Sequence, residues 1–280
     1  MNPQEEHWMV TLQVVFYPAL AIVGIPSNIV TFLIFWRRNC LLSKSSTFYL
    51  MAISVADTLV LVFIVVLEIT VKFCQEPFWS REPWCRLRDI FSYGAYNTST
   101  WLVVVFTAER FIAIHTWTIK TKLRTPRSAL AAITIILLLS HLLAIPYYWS
   151  NVSVYDHNQT RWACIYEPEA PHGYVHALLG AQTLVAYILP FLIILTLNGL
   201  TLRQISLSNR VHVVTAADLP MSMSIIIRTT FVYGQDRNDY PLQINVAADI
   251  GSMLSLSNAA IDTYLYACTQ AKFRQKSTVN

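Results

Sequence analysis

Long apolar runs separated by short polar connections dominate the chain. Seven of them reach the ~20 residues that cross a hydrocarbon core about 30 Å thick. They are Thr11–Trp36, Thr47–Val71, Cys85–His115, Ser128–Trp149, Tyr174–Leu202, Val211–Tyr233 and Leu242–Cys268. In lipid each run must be a helix, because an open strand leaves its backbone groups unsatisfied. The pattern predicts an all-α fold, a seven-transmembrane helix bundle. Connections too short to fold alone, with no internal repeat or low-complexity linker, make residues 1–280 one domain.

Composition agrees: 55% of residues are hydrophobic and 13% charged, where a soluble domain needs roughly 25% charged. The net charge of +4 does not point to nucleic acid, because its distribution is one-sided. One set of connections carries Arg37, Arg38, Lys44, Lys120, Lys122, Arg124 and further basic residues, with no acid among them. In the other set acids outnumber bases, from Glu5 and Glu6 to Asp239. The bias predicts a plasma-membrane protein with its N-terminus outside and its C-terminus cytoplasmic. The segment before Thr11 is acidic and lacks a basic n-region, so the first helix is expected to act as the insertion signal.

Two glycosylation sequons, at Asn151 and Asn158, fall in one expected outside loop; a third match at Asn97 lies inside a helix and is expected to be silent. None of the five cysteines forms a CxxC pair, which argues against zinc. Cys85 and Cys164 share the oxidising side, where a bridge between them would pin the loop over the mouth of the bundle. Cys74, near the same face, has no evident partner, and Cys40 and Cys268 are expected to be reduced.

Polar residues inside spans are costly and invite a functional reading. Asn28, Asp57 and Ser99 lie at similar depth in the first three helices, and Asn258 and Asp262 share one face of the seventh. Oxygen ligands around one or two carboxylates suit a sodium ion or a shared proton, and equally a hydrogen-bonded polar core. Glu109-Arg110, ending the third helix on the basic side, reads either as a solvated pair or as a switch.

In order along the chain, these residues resemble the rhodopsin-like G-protein-coupled receptor family. The marks are Asn28, the Leu50–Asp57 run, Cys85, Trp101, Glu109-Arg110-Phe111, Pro190 and Asp262-Thr263-Tyr264-Leu265-Tyr266. Lys272-Phe273-Arg274 looks like a short amphipathic eighth helix. Cys85 and Arg110 are about seven helical turns apart, enough to reach both faces. Three stretches look like the orphan group called probable G-protein coupled receptor 139: Ser45 to Leu61, Ile145-Pro146-Tyr147-Tyr148-Trp149, and Asp249 to Asn258. The resemblance implies a heterotrimeric G protein as partner, with Glu109, Arg110 and Tyr266 in coupling. It also implies a brain- or endocrine-type receptor for an aromatic amino acid or short peptide, acting mainly through the phospholipase C class.

The chain departs from the family pattern at Phe111, at Asp262 and Thr263, in the fourth helix, which lacks its mid-helix Trp, and at Asp218-Leu219-Pro220. Pro190 and Pro220 are only 30 residues apart, which predicts a sixth helix that begins near the membrane surface. A non-signalling or decoy protein is therefore the alternative function.

For the ligand, Ser92 occupies the position where an amine receptor needs an acid, with Tyr93, Tyr96 and Asn97 below and Asp89 one turn higher. This neutral aromatic face suits stacking on an aromatic ligand. Arg228 could meet a carboxylate, or snorkel to the surface. Asp249, with Ser252 on the same helix, could take an amine. No lysine lies between Leu242 and Cys268, which excludes a retinal Schiff base. No paired nucleophile and base suggests an enzyme, and no cofactor beyond the sodium ion is expected.

Overall fold

The computed structural model describes residues 8–37, 43–67, 69–70, 78–115, 125–156, 161–169, 171–207, 246, 249–254 and 256–257. Helix α1 spans Trp8–Arg37 and α2 spans Lys44–Val60, continuing as a π-helical stretch over Leu61–Val66. Helix α3 spans Trp84–His115, and α4 spans Pro126–Ala144, ending in a 3-10 turn at Ile145–Trp149. Helix α5 opens at His172–Thr183, loosens into a π-helical stretch at Leu184–Ile188 and resumes over Leu189–Leu207. Residues 249–254 and 256–257 are helical, within the expected seventh span. The expected sixth helix, 211–233, and the expected eighth helix lie outside the described residues.

Local chemistry sets the helix starts. The Ser43 hydroxyl accepts from the Ser46 amide at the start of α2, and the Thr125 hydroxyl accepts from the Ser128 amide before Pro126 at the start of α4. Each cap satisfies one of the donors orphaned at a helix N-terminus. Along the spans, hydroxyls fold back on the carbonyl four residues earlier, as in Ser54 to Leu50, Thr98 to Gly94 and Thr196 to Leu192. Such bonds keep polar side chains satisfied where no water competes.

Four described helical stretches are long and apolar enough to cross a membrane: Trp8–Arg37, Lys44–Val66, Pro126–Trp149 and Gly173–Thr201. Their outward faces are bare hydrocarbon, including Val15, Ile22 and Val23 on α1, Leu138, Leu139 and Leu142 on α4, and Leu192 and Leu195 on α5. An apolar surface of this extent fits lipid and not water. Helix α3 is more polar because it is the central column, packed against α2, α4 and α5. Gly94 brings α4 close, since a Cβ there would stand 2.7 Å from the His141 ring.

The core divides in two along the helix axes. One cluster joins Met9, Tyr17, Val60, Leu61, Ala95, Tyr96, Ala186 and Met253. The other joins Phe35, Tyr49, Leu50, Ile53, Leu102, Phe106 and Ala129. In sequence, buried Asn28 and Asp57 and the partly buried Ser99 fall between the two sets on α1, α2 and α3. A polar layer thus separates two apolar ones.

The expected outside loop is not irregular. Residues Asn151–Asp156 (β1) and Arg161–Tyr166 (β2) form an antiparallel hairpin in which Ser153 faces Cys164 and Asn151 faces Tyr166. The Glu167 amide donates to the Ser150 carbonyl at 2.9 Å and closes its base. The β-branched and aromatic residues at Val152, Val154, Tyr155 and Trp162, flanking polar His157-Asn158-Gln159-Thr160, carried that strand signal.

Candidate functional site

The hairpin lies against the first turns of α3. A disulfide joins Cys85 to Cys164 with their Cα atoms 5.6 Å apart. The Ser153 hydroxyl donates to the Ser80 carbonyl, and the Asn151 amide donates to the Asp89 carboxylate. Asp89 also faces Arg88 at 3.5 Å. Its carboxylate is therefore already engaged at the rim of the bundle.

Below the rim, the four neighbouring α3 residues expected to meet ligand point to different neighbours. Ser92 donates to the Phe63 carbonyl at 3.0 Å, in the π-helical stretch after α2. Tyr93 packs on Tyr147 with ring centroids 4.0 Å apart, and the Tyr147 hydroxyl donates to the Leu178 carbonyl of α5. Tyr96 packs on Tyr187 at 5.2 Å. Asn97 and Gln182 exchange two amide bonds, at 3.3 and 3.0 Å, both residues buried. One turn further, the Trp101 indole donates to the Val185 carbonyl in the second π-helical stretch. A π-helical stretch disrupts the regular carbonyl ladder, and at both such places a side chain of α3 supplies a donor.

Asp249 is buried and accepts from the Gln13 amide of α1 at 2.6 Å. Ser252 sits one turn further along the same helix, partly buried. Arg228 lies outside the described residues. Sequence reasoning missed Gln13, Gln182, Tyr147 and Tyr187. A lone amide within an apolar span was the available signal for the two glutamines. A separate recess of about 480 Å³ is lined by Trp149, Glu167, Glu169, Pro171 and Tyr174, none of them an expected ligand residue.

In the polar layer, Ser99 donates to the Asp57 carboxylate, and Asp57 is almost fully buried. Asn28 is buried on α1. Asn258 and Asp262, expected to complete this group, lie outside the described residues. Among the described residues, no group of three or more His, Cys, Asp and Glu comes together. What is present is one carboxylate hydrogen-bonded to a hydroxyl, an arrangement equally compatible with a hydrogen-bonded polar core and with oxygen ligands for a small hard cation.

At the far end of α3, Glu109 is buried, and the Arg110 guanidinium stands 4.8 Å from the centre of the Phe106 ring. Tyr49 of α2 flanks the same ring, centroids 6.3 Å apart. The pair is a packed feature of the helix end, where a solvated pair would stand clear of the core. Tyr266 lies outside the described residues.

The family model described as 7 transmembrane receptor (rhodopsin family) matches residues 27–235. The chain belongs to this family. Its seven-helix bundle, its membrane setting and its non-enzymatic signalling through G proteins follow from that membership. The receptor is 23% identical to a mouse protein, Probable G-protein coupled receptor 142, over 94% of this chain and 71% of the relative. It is also 23% identical to a zebrafish protein, C5a anaphylatoxin chemotactic receptor 1, over 96% of this chain and 79% of the relative.

Proposed function

We propose that this receptor carries an extracellular signal from an aromatic amino acid or a short peptide to a heterotrimeric G protein. The N-terminus and the hairpin face outward, the C-terminus and Arg110 face the cytoplasm, and coupling runs mainly through the phospholipase C class, as in the receptor 139 orphan group. The observation that carries the ligand class is the wall between α3 and α5. Tyr96 and Tyr187 pack there with tilted rings beside the neutral Asn97–Gln182 pair. Aromatic faces favour an aromatic guest by offset or edge contacts, and an uncharged wall disfavours a bare ammonium. The charged ends of a zwitterion then fall to Asp249 and Arg228.

In this reading Asp57, Ser99, Asn258 and Asp262 together hold a sodium ion, which steadies the inactive bundle. Glu109 and Arg110 form the coupling switch with Tyr266. The decoy alternative rested on residues 211–233, and no described residue favours it.

The test is calcium release in cells bearing the receptor, with L-tryptophan, L-phenylalanine and short aromatic peptides as probes. The response should appear for at least one probe and weaken tenfold or more in Tyr96→Ala and Tyr187→Ala, since each removes an aromatic contact of about 0.5–1.5 kcal/mol plus its buried area. Equal potency in both variants, at equal surface expression, sinks the ligand assignment.

A further inference from the structure

Asn151 opens β1 directly after the turn that ends α4, and only 3% of its surface is exposed. Its amide nitrogen bears two hydrogens, and two acceptors meet that nitrogen: the Asp89 carboxylate and, at 3.3 Å, the Ser150 hydroxyl. Asp89 is one turn along α3 from Cys85, whose partner Cys164 sits opposite Ser153 in the hairpin. The hairpin is therefore held to the helix bundle by a covalent bond at one strand and by a charge-assisted hydrogen bond at the other. Bonds of this kind are roughly twice as strong as neutral ones.

We propose that Asn151 and Asp89 form a clamp that sets the hairpin's position over the bundle, and that Asn151 therefore carries no glycan. Asp89 is a positioning residue in this account and not the ligand's counter-charge. N-glycosylation replaces one amide hydrogen of asparagine by a bond to the sugar's anomeric carbon, with the diphosphate carrier leaving. Only one N–H then remains, and the sugar would have to stand where Asp89 or Ser150 now stands. A chain modified there before folding would lose at least one of the two bonds and would need room for a sugar at a residue that is only 3% exposed. The glycan half rests on the outward-facing hairpin proposed above; the clamp half does not.

Two measurements decide it. Asn151→Asp sets two carboxylates against each other, whereas the exchange Asp89→Asn with Asn151→Asp restores an amide facing a carboxylate with the roles reversed. Hydrogen–deuterium exchange of 151–156 and 161–166 should quicken about tenfold in Asn151→Asp and return close to the native rate in the double exchange. If Asn151→Asp does not fold, recovery of folded protein by the double exchange supports the clamp equally. A double variant no better than Asn151→Asp overturns it. For the glycan, peptide-N-glycosidase should shift the native receptor and leave Asn158→Gln unshifted. A shift that persists in Asn158→Gln and vanishes in Asn151→Gln/Asn158→Gln overturns that half. A native receptor without any shift agrees with an unmodified Asn151, and the exchange experiment still decides the clamp.

Discussion

The amide pair between α3 and α5 is the sharpest place to test how this bundle holds together. Lipid tails are as apolar as leucine, so helices in a membrane gain little from burying hydrocarbon against each other and depend on packing and interhelical hydrogen bonds. Gln182→Leu removes both bonds to Asn97 and leaves a buried amide without its partner, at a cost of about 1–3 kcal/mol. Asn97→Leu should cost a similar amount. Replacing both together removes the orphan as well as the bond, and the loss should shrink to the worth of the pair, near 0.6 kcal/mol on average and at most about 1.7. At about 2–4 °C per kcal/mol for large domains, each single variant should unfold roughly 2–12 °C below the native receptor in detergent. The double variant should recover most of the difference. Two single losses that simply add in the double variant would show that the pair is not coupled, and would refute the reasoning.

Trp101→Phe removes the bond to the Val185 carbonyl together with part of the indole; thermal unfolding should register a loss larger than the roughly 0.6–1.7 kcal/mol of such a bond alone. Cys164→Ser opens a bridge across 79 residues, for which chain entropy sets a ceiling of about 4.5 kcal/mol; surface expression should fall sharply, and native-level expression contradicts a structural role. Asp57→Asn should abolish any sodium dependence of thermal stability, and a native receptor indifferent to sodium against N-methylglucamine counts against the ion site. Gln13→Leu leaves the buried Asp249 carboxylate without that amide and should destabilise the receptor more than Leu12→Ala does at the exposed neighbouring position.

The first five spans were legible because hydrocarbon thickness fixes their length: α1, α3 and α4 begin and end within about three residues of the expected bounds. The bridge was legible from sidedness together with the place of Cys85 at the start of the third helix and of Cys164 in the outside loop before the fifth. The fate of each polar residue was not. Ser92, Tyr93 and Asn97 share one stretch of α3 yet meet α2, the turn after α4, and α5. That divergence depends on helix rotation and on two π-helical stretches that apolar periodicity does not encode. Asp89 and Asn151 were read as separate signals, a ligand acid and a sequon. Their contact spans 62 residues and depends on the register of a hairpin that hydropathy does not specify. Ser99 and Asp57 were legible as members of one polar group from their similar depth, and their contact is the part of that group that falls within the described residues.

The proposed connection of Arg110 to a G protein can be measured before any ligand is known. Basal dissociation of heterotrimeric G proteins, followed by energy transfer across sensors for every Gα class, should rise with the amount of receptor at the cell surface for at least one class. The rise should vanish in Arg110→Ala at matched surface expression. A native receptor that moves no sensor, with or without the aromatic amino acids, would contradict the account. So would an Arg110→Ala receptor that moves them as well as the native one.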